Sequence, residues 1–303
     1  MSSVDQGSRG LGKHRAWFTS STARRGRGVT SDGPWSTPGW VSLVGAGPGS
    51  PDLLTLRAVR RLQEADLVLY DGLVPAAVLE LAPRAHRFFV GKRVRRKAIE
   101  QEAIHRVMIR AARRGQRVVR LKCGDPFVLG RGGEEALALA SAGVPFEVVP
   151  GISSAVAAPA LAGIPVTHRG VASGFLVISG HAEAVYRPVL ESLAPNAVTL
   201  VVLMGLSTRA KVSALLIDRG WRRDTPAAIA LDASLPTATT WIGTLEQLGT
   251  ARIPEQCIDA PGALCVGDVV SLAEQIRFSP LASRSPEEKV VELERSGRLT
   301  GSP

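Results

Sequence analysis

The sequence predicts an α/β fold built largely on parallel strands. Two observations carry this. Short apolar runs alternate with segments of helical periodicity from about residue 41 to residue 277. Several runs are followed directly by glycine-bearing turns, the pattern of strands that hand over to ligand-binding loops.

The elements follow in order. WVSLV (40–44) is a strand that enters a glycine-rich turn. Residues 52–65 carry Leu54, Ala58, Leu62 and Ala65 at helical spacing. DLVLY (66–70) reads as a buried strand and FFV (88–90) as a shorter one. Residues 97–114 place Ile104, Val107, Met108 and Ala111 on one helix face, and Gly115 stops the helix. RVVRL (117–121), a helix over about 133–142 and FEVV (146–149) come next, then an Ala-rich helix after Ser154. The second half repeats the rhythm with FLVIS (175–179), VTLVVLM (198–204), a helix at 207–219, AAIAL (227–231) and ALCVG (263–267).

The flanks differ. Residues 1–39 are rich in Ser, Gly and Arg and lack hydrophobic periodicity, so they read as a disordered basic tail, with an organellar transit peptide as the alternative. From about 278 the chain is polar again, with one amphipathic stretch, PEEKVVELERSG. No segment resembles a signal-peptide core, which points to the cytoplasm.

The 303 residues, 45% of them hydrophobic, suffice for one large domain or two of moderate size. Three cysteines without a CxxC pair exclude a disulfide scaffold, and five scattered histidines give no metal signature. The most apolar stretch, 142–166, contains Glu147 and four prolines, so it is no membrane span. The net charge of +10 is concentrated: residues 84–122 hold fourteen basic residues against two acidic ones. Several flank strand ends, which favours an anionic ligand.

The loops after the strands hold the candidate site. Gly45-Ala46-Gly47-Pro48-Gly49-Ser50 follows the first strand, where Gly45, Gly47 and Gly49 let backbone approach a ligand. It half-matches a dinucleotide fingerprint, with Ser50 at the third glycine. Asp71 follows the second strand as a base, a cation ligand or a turn residue. Gly91-Lys92-Arg93 follows the third. The most distinctive stretch is Lys122-Cys123-Gly124-Asp125-Pro126-Phe127-Val128-Leu129-Gly130-Arg131-Gly132-Gly133. Pro150-Gly151-Ile152-Ser153-Ser154, Ser179-Gly180-His181 and Met204-Gly205 complete the set.

Together these segments resemble the tetrapyrrole methylase family, most closely its uroporphyrinogen-III C-methyltransferases. The residues that carry the resemblance are VGAGPGSPDLLTLRA (44–58), LYDGLV (69–74), VGKR (90–93), VVRLKCGDPFVLGRGGEE (118–135), VPGISSAVAAPALAGIPVTHRG (149–170), SGH (179–181) and MG (204–205). They span nearly all of the core in order. The resemblance implies two α/β domains, 40–170 and 171–277, with S-adenosylmethionine (SAM) held between them. It sets Pro48, Cys123, Gly124, Asp125, Val128, Ser153, Ser154, Met204 and Ala233 around SAM. It implies Asp71 as proton acceptor, Lys92 as proton donor, a homodimer, and no metal, nucleic-acid or membrane partner. The implied substrate is uroporphyrinogen III, methylated at carbons 2 and 7 to precorrin-2 for sirohaem or cobalamin synthesis. Its eight carboxylates suit arginine forks, so Arg93, Arg95 and Arg131 are the candidate substrate contacts.

The chain departs from the family pattern at several points. Gly72 stands for an arginine, Cys123 for a glycine, Leu129 for a phenylalanine and Lys97 for a histidine. Asp232-Ala233-Ser234 replaces Asn-Gly-Thr, and Ala238-Thr239 replaces Gln-Arg. These changes leave the exact tetrapyrrole open. A SAM- and tetrapyrrole-binding protein without turnover is the alternative from another class. A nucleic-acid methylase fits the basic charge, but the 5% aromatic content offers little for base stacking.

Overall fold

In the computed structural model, residues 39–91, 100–257 and 260–276 are described. They form two five-stranded sheets within one compact unit. The first half of the chain gives β1 (Trp40–Gly45), α1 (Leu56–Glu64), β2 (Leu67–Tyr70), α2 (Ala76–Glu80), β3 (His86–Phe89) and α3 (Gln101–Arg113). It continues with β4 (Arg117–Lys122), α4 (Gly132–Ser141), β5 (Phe146–Val149) and α5 (Ser154–Leu161). The second half gives β6 (Phe175–Ser179), α6 (Glu183–Ser192), β7 (Thr199–Leu203), α7 (Arg209–Asp218), β8 (Pro226–Leu231), β9 (Thr239–Thr244), α8 (Leu245–Leu248) and β10 (Gly262–Val266).

The first sheet has the order β3-β2-β4-β1-β5, and every pair is parallel. Its strands are too short to bury enough surface alone, so helices cover both faces. Strand alternation sorts the side chains between them. Val44, Ala46, Val119 and Leu121 join Ala58 and Leu62 of α1 and Val78 of α2. Val41, Leu43, Leu69 and Val118 join Ile104 and Met108 of α3 and Leu139 of α4. Each fully buried Leu, Ile or Met here is worth about 1.5–3 kcal/mol. The stop at Gly115 behaves as expected from the sequence. Thr55 Oγ1 accepts from the Ala58 amide at the start of α1, and Gly115, at φ 81°, ends α3.

The second sheet differs from the expected pattern. Its order is β6-β7-β10-β8-β9, and only β6–β7 is parallel. β10 runs antiparallel to both β7 and β8, and β8 is antiparallel to β9. The physical reason lies in the connections. β9, which the sequence reading passed over, follows β8 after a short loop with no crossover helix, and a parallel pair requires one. The reading also passed over α2, α6 and α8.

α5 precedes residue 170 in the chain yet packs on the second sheet. Ala155 lies among Val201, Ala228 and Cys265, and Ala158 beside Ala230 and Ala263. The two sheets are thus held close, and Ser50 N donates to Ser234 Oγ between them at 2.9 Å. Among the described residues, no helix is long and apolar enough to cross a membrane.

Candidate active site

A cavity of about 550 Å³ opens between the C-terminal ends of the first-sheet strands and the ends of the central strands β7, β10 and β8 of the second sheet. Its size suits a small-molecule ligand. It brings together Pro48, Asp71, Cys123, Gly124, Asp125, Val128, Arg131, Ser153, Ser154, Met204 and Ala233, all singled out in the sequence. A second hollow, about 1100 Å³, adjoins it and shares Met204, Pro261 and Gly262.

Three candidate glycines do not line the cavity. A Cβ on Gly45 would stand 2.5 Å from Gly151 N and 2.6 Å from Gly124 O, so Gly45 serves close packing of three chain segments. Gly47 exchanges backbone hydrogen bonds with Gly124, at 3.2 and 2.8 Å. Gly49, at φ 149°, sits against Leu235 and Ser234. These glycines shape the loops, and Pro48 is the residue of that turn that reaches the cavity wall. Lys92, Arg93 and Arg95 lie outside the described residues; Gly91 and Gln101 on either side of that segment both line the cavity.

The loops are held in place by side chains. Asp125 Oδ1 accepts from the Phe127 amide at 2.8 Å and Oδ2 from the Gly151 amide at 3.1 Å, tying the β4 loop to the β5 loop. Ser153 caps α5 by accepting from Ala155 N. Arg131 is forked onto Glu134, at 2.9 and 2.7 Å. Left-handed backbone gathers here too. Leu129, Arg131 and Met204 have φ of 54°, 60° and 58°, and Asp232 and Ser234 flank Ala233 at 48° and 75°. Non-glycine residues resist this region, and such strain concentrates at functional sites.

Beneath the cavity lies a charged cluster that the sequence reading missed. Strand parity creates it. Val118, Arg120 and Lys122 alternate onto the α3/α4 face of β4, and Asp71 follows Leu69 on the same face of β2. The register sets Leu69 opposite Arg120. Arg120 Nη2 donates to both Asp71 oxygens, at 2.7 and 2.9 Å. Its Nε donates to Glu135 Oε1 at 2.9 Å, and Nη1 to the carbonyls of Leu69 and Leu121. Lys122 Nζ lies 3.2 and 3.1 Å from the two Glu135 oxygens. Gln101 Nε2 adds a bond to Oε1 at 3.0 Å. Glu135 is 0% exposed, Arg120 2% and Lys122 3%.

The electrostatics follow from burial and pairing. Burial, and then the Arg120 charge, lower the Lys122 pKa against the pull of Glu135. Burial alone would lower Arg120, but Glu135 and Asp71 outweigh it and raise the guanidinium. Cys123, half-buried on the cavity wall, is pushed up to about 11 by burial and by Asp71, so little thiolate forms there near neutral pH. Among the described residues, no group of three His, Cys, Asp or Glu side chains could hold a metal ion.

Two sheets meeting at a ligand-sized cavity, with a carboxylate poised on its wall and glycine loops around it, define an α/β protein built to act on a small molecule. The chain belongs to the tetrapyrrole methylases: the family model for Tetrapyrrole (Corrin/Porphyrin) Methylases matches residues 41–249. The siroheme synthase of Azotobacter vinelandii is 46% identical over 243 residues, 79% of this chain and 52% of its own length. That of a serogroup C Neisseria meningitidis strain is 47% identical, over 79% of this chain and 50% of its own length. The chain therefore spans about half the length of the curated relatives it matches. A crystal structure of uroporphyrin-III C-methyl transferase from Thermus thermophilus, complexed with S-adenyl homocysteine, superposes with a TM-score of 0.66 at 43% identity, covering 77% of this chain and all of that one.

Proposed function

We propose that the protein is a SAM-dependent uroporphyrinogen-III C-methyltransferase that forms precorrin-2. The observation that carries this reading is Asp71, a carboxylate on the cavity wall whose partner Arg120 is buried and fully hydrogen-bonded. The likeness to the Thermus thermophilus transferase over that protein's whole length supports it.

The cavity fits SAM. Its volume is adequate, and small residues (Gly124, Ala233) open its walls. Each Asp125 oxygen accepts one backbone amide and retains capacity for a ligand amine. The residues that would hold SAM are Pro48, Cys123, Gly124, Asp125, Val128, Ser153, Ser154, Met204 and Ala233. When bound, SAM supplies an electrophilic methyl: the pyrrole carbon forms the new C–C bond, the C–S electron pair returns to sulfur, and one proton leaves the ring system.

Asp71 is the acceptor for that proton in this reading, and Arg120 fixes the direction of its carboxylate. In this reading Arg131, which lines the cavity, contacts substrate carboxylates, with Arg93 and Arg95 as further contacts and Lys92 as proton donor. Alignment supplies much of the rate, and a positioned base adds about 10²–10⁴-fold. Gly72 lines the cavity where family members carry an arginine, which favours a related tetrapyrrole as the second reading for substrate. Domains divided near residue 170, with α5 of the first crossing to pack on the second sheet, a homodimer and a cytoplasmic location complete the proposal.

The test is mass spectrometry of the product from uroporphyrinogen III and SAM. A gain of two methyl groups is expected. SAM binding without any methylated product would overturn the enzymatic reading.

A further inference from the structure

We infer that Glu135 is a positioning residue for methyl transfer, acting through Arg120 on Asp71, with Lys122 as its counter-charge. The inference rests on the proposed role of Asp71 and goes beyond it.

The geometry forms a directed chain. Glu135 Oε1 accepts from Arg120 Nε, and Arg120 Nη2 donates to both oxygens of Asp71 at the cavity wall. A guanidinium is planar, so fixing Nε from one side fixes the direction of Nη2 on the other. Nη1 is held by two backbone carbonyls, which removes the remaining rotational freedom. Asp71 follows the end of β2 and is the partly exposed member of the cluster, with its side chain 32% exposed.

A fully buried carboxylate is costly unless it is paired. Glu135 meets that condition with two cations and the Gln101 amide. With Asp71, the four charged groups balance. An apolar residue of similar size could fill the space between α4 and β4 without this cost. What it could not do is hold Nε of Arg120. The arrangement explains why three charged side chains occupy a face that is otherwise the apolar core of the first sheet.

The test compares four forms of the full-length chain: wild type, Asp71→Asn, Glu135→Gln, and the double variant Asp71→Asn/Glu135→Gln. Each is assayed for kcat, KM for SAM, S-adenosylhomocysteine affinity and thermal midpoint. Glu135→Gln should lower kcat about tenfold, with KM for SAM and S-adenosylhomocysteine affinity changed less than twofold. The double variant should be no slower than Asp71→Asn alone, since Glu135 acts through Asp71. Losses that multiply would overturn the inference, as would an unchanged kcat in Glu135→Gln. Because Glu135→Gln leaves two buried cations short of an anion, Lys122→Met/Glu135→Gln serves as a charge-balanced second variant. It should regain thermal midpoint while kcat stays low. Recovery of kcat along with stability would make Glu135 a structural residue only. Wild type that transfers no methyl would overturn the proposed function together with this inference, whereas active wild type with an unaffected Glu135→Gln sinks the inference alone.

Discussion

Asp71 accepts both of its short hydrogen bonds from a single nitrogen, Nη2 of Arg120, at 2.7 and 2.9 Å. The arginine is buried and the aspartate opens on the cavity, so the pair joins the core of the first sheet to its reactive surface. Arg120→Met would leave Glu135 and Lys122 sharing the buried space and Asp71 without its clamp. Breaking a buried ionic pair costs about 3–5 kcal/mol. A fall of the urea midpoint by that equivalent, with methyl transfer lost, is the expected result; an unshifted midpoint would contradict the cluster's structural weight.

Arg131 tests the substrate side. Its guanidinium is held by Glu134 at the cavity rim. A charge-assisted hydrogen bond to a substrate carboxylate contributes about 1.5–3 kcal/mol. Arg131→Ala should therefore raise KM for the tetrapyrrole at least about tenfold while calorimetry shows S-adenosylhomocysteine binding unchanged.

Two glycines should respond in opposite ways. A Cβ on Gly151 would collide with Gly124 O and the backbone of Gly45, so Gly151→Ala should destabilise the protein and lower its melting temperature. Gly133, in α4, has nothing within 4 Å of a Cβ and no positive φ. Gly133→Ala should stabilise by about 0.5 kcal/mol through helix propensity and a less flexible unfolded chain. Differential scanning calorimetry of both variants decides the matter.

Asp66 predicts an acid-dependent contribution. Hydrogen bonds from the Arg117 side chain, opposed by burial and aided by the Arg117 amide, hold its pKa below the ordinary carboxylate value. The folded pKa is the lower one, so the stabilisation is present above the unfolded value of about 3.9 and is lost as pH falls through the folded one. The pair is more than a third exposed, so it is worth about 1 kcal/mol at most. Asp66→Asn should lower the denaturation midpoint at pH 6, by an amount that shrinks as pH falls below the ordinary carboxylate range.

Cys123 should be chemically quiet. With its pKa pushed up to about 11, little thiolate exists at neutral pH, and Cys265, at about 12, has less. Iodoacetamide at pH 7.5 should label Cys123 far more slowly than free cysteine. Fast labelling there would show that burial does not protect it.

Much of the site was legible in the sequence because loops after strands converge in α/β folds. Pro48, Asp71, the 123–131 loop, Ser153, Ser154 and Met204 were found that way and line one cavity. The buried cluster was not legible. Arg120 and Lys122 sit in a stretch dense with basic residues, and nothing local separates them from surface charges such as Arg110 or Arg113. Glu135 reads as an ordinary early-helix acid.

The sequence by itself determined most of the strands and helices, the loops that carry chemistry and the family they belong to, since these depend on periodicity and local motifs. Only the tertiary structure decided which charges are buried, because that depends on strand parity meeting a helix fifteen residues away. It also decided that the second sheet is mixed: pairing direction depends on how strands far apart in the chain meet, as β10 does between β7 and β8.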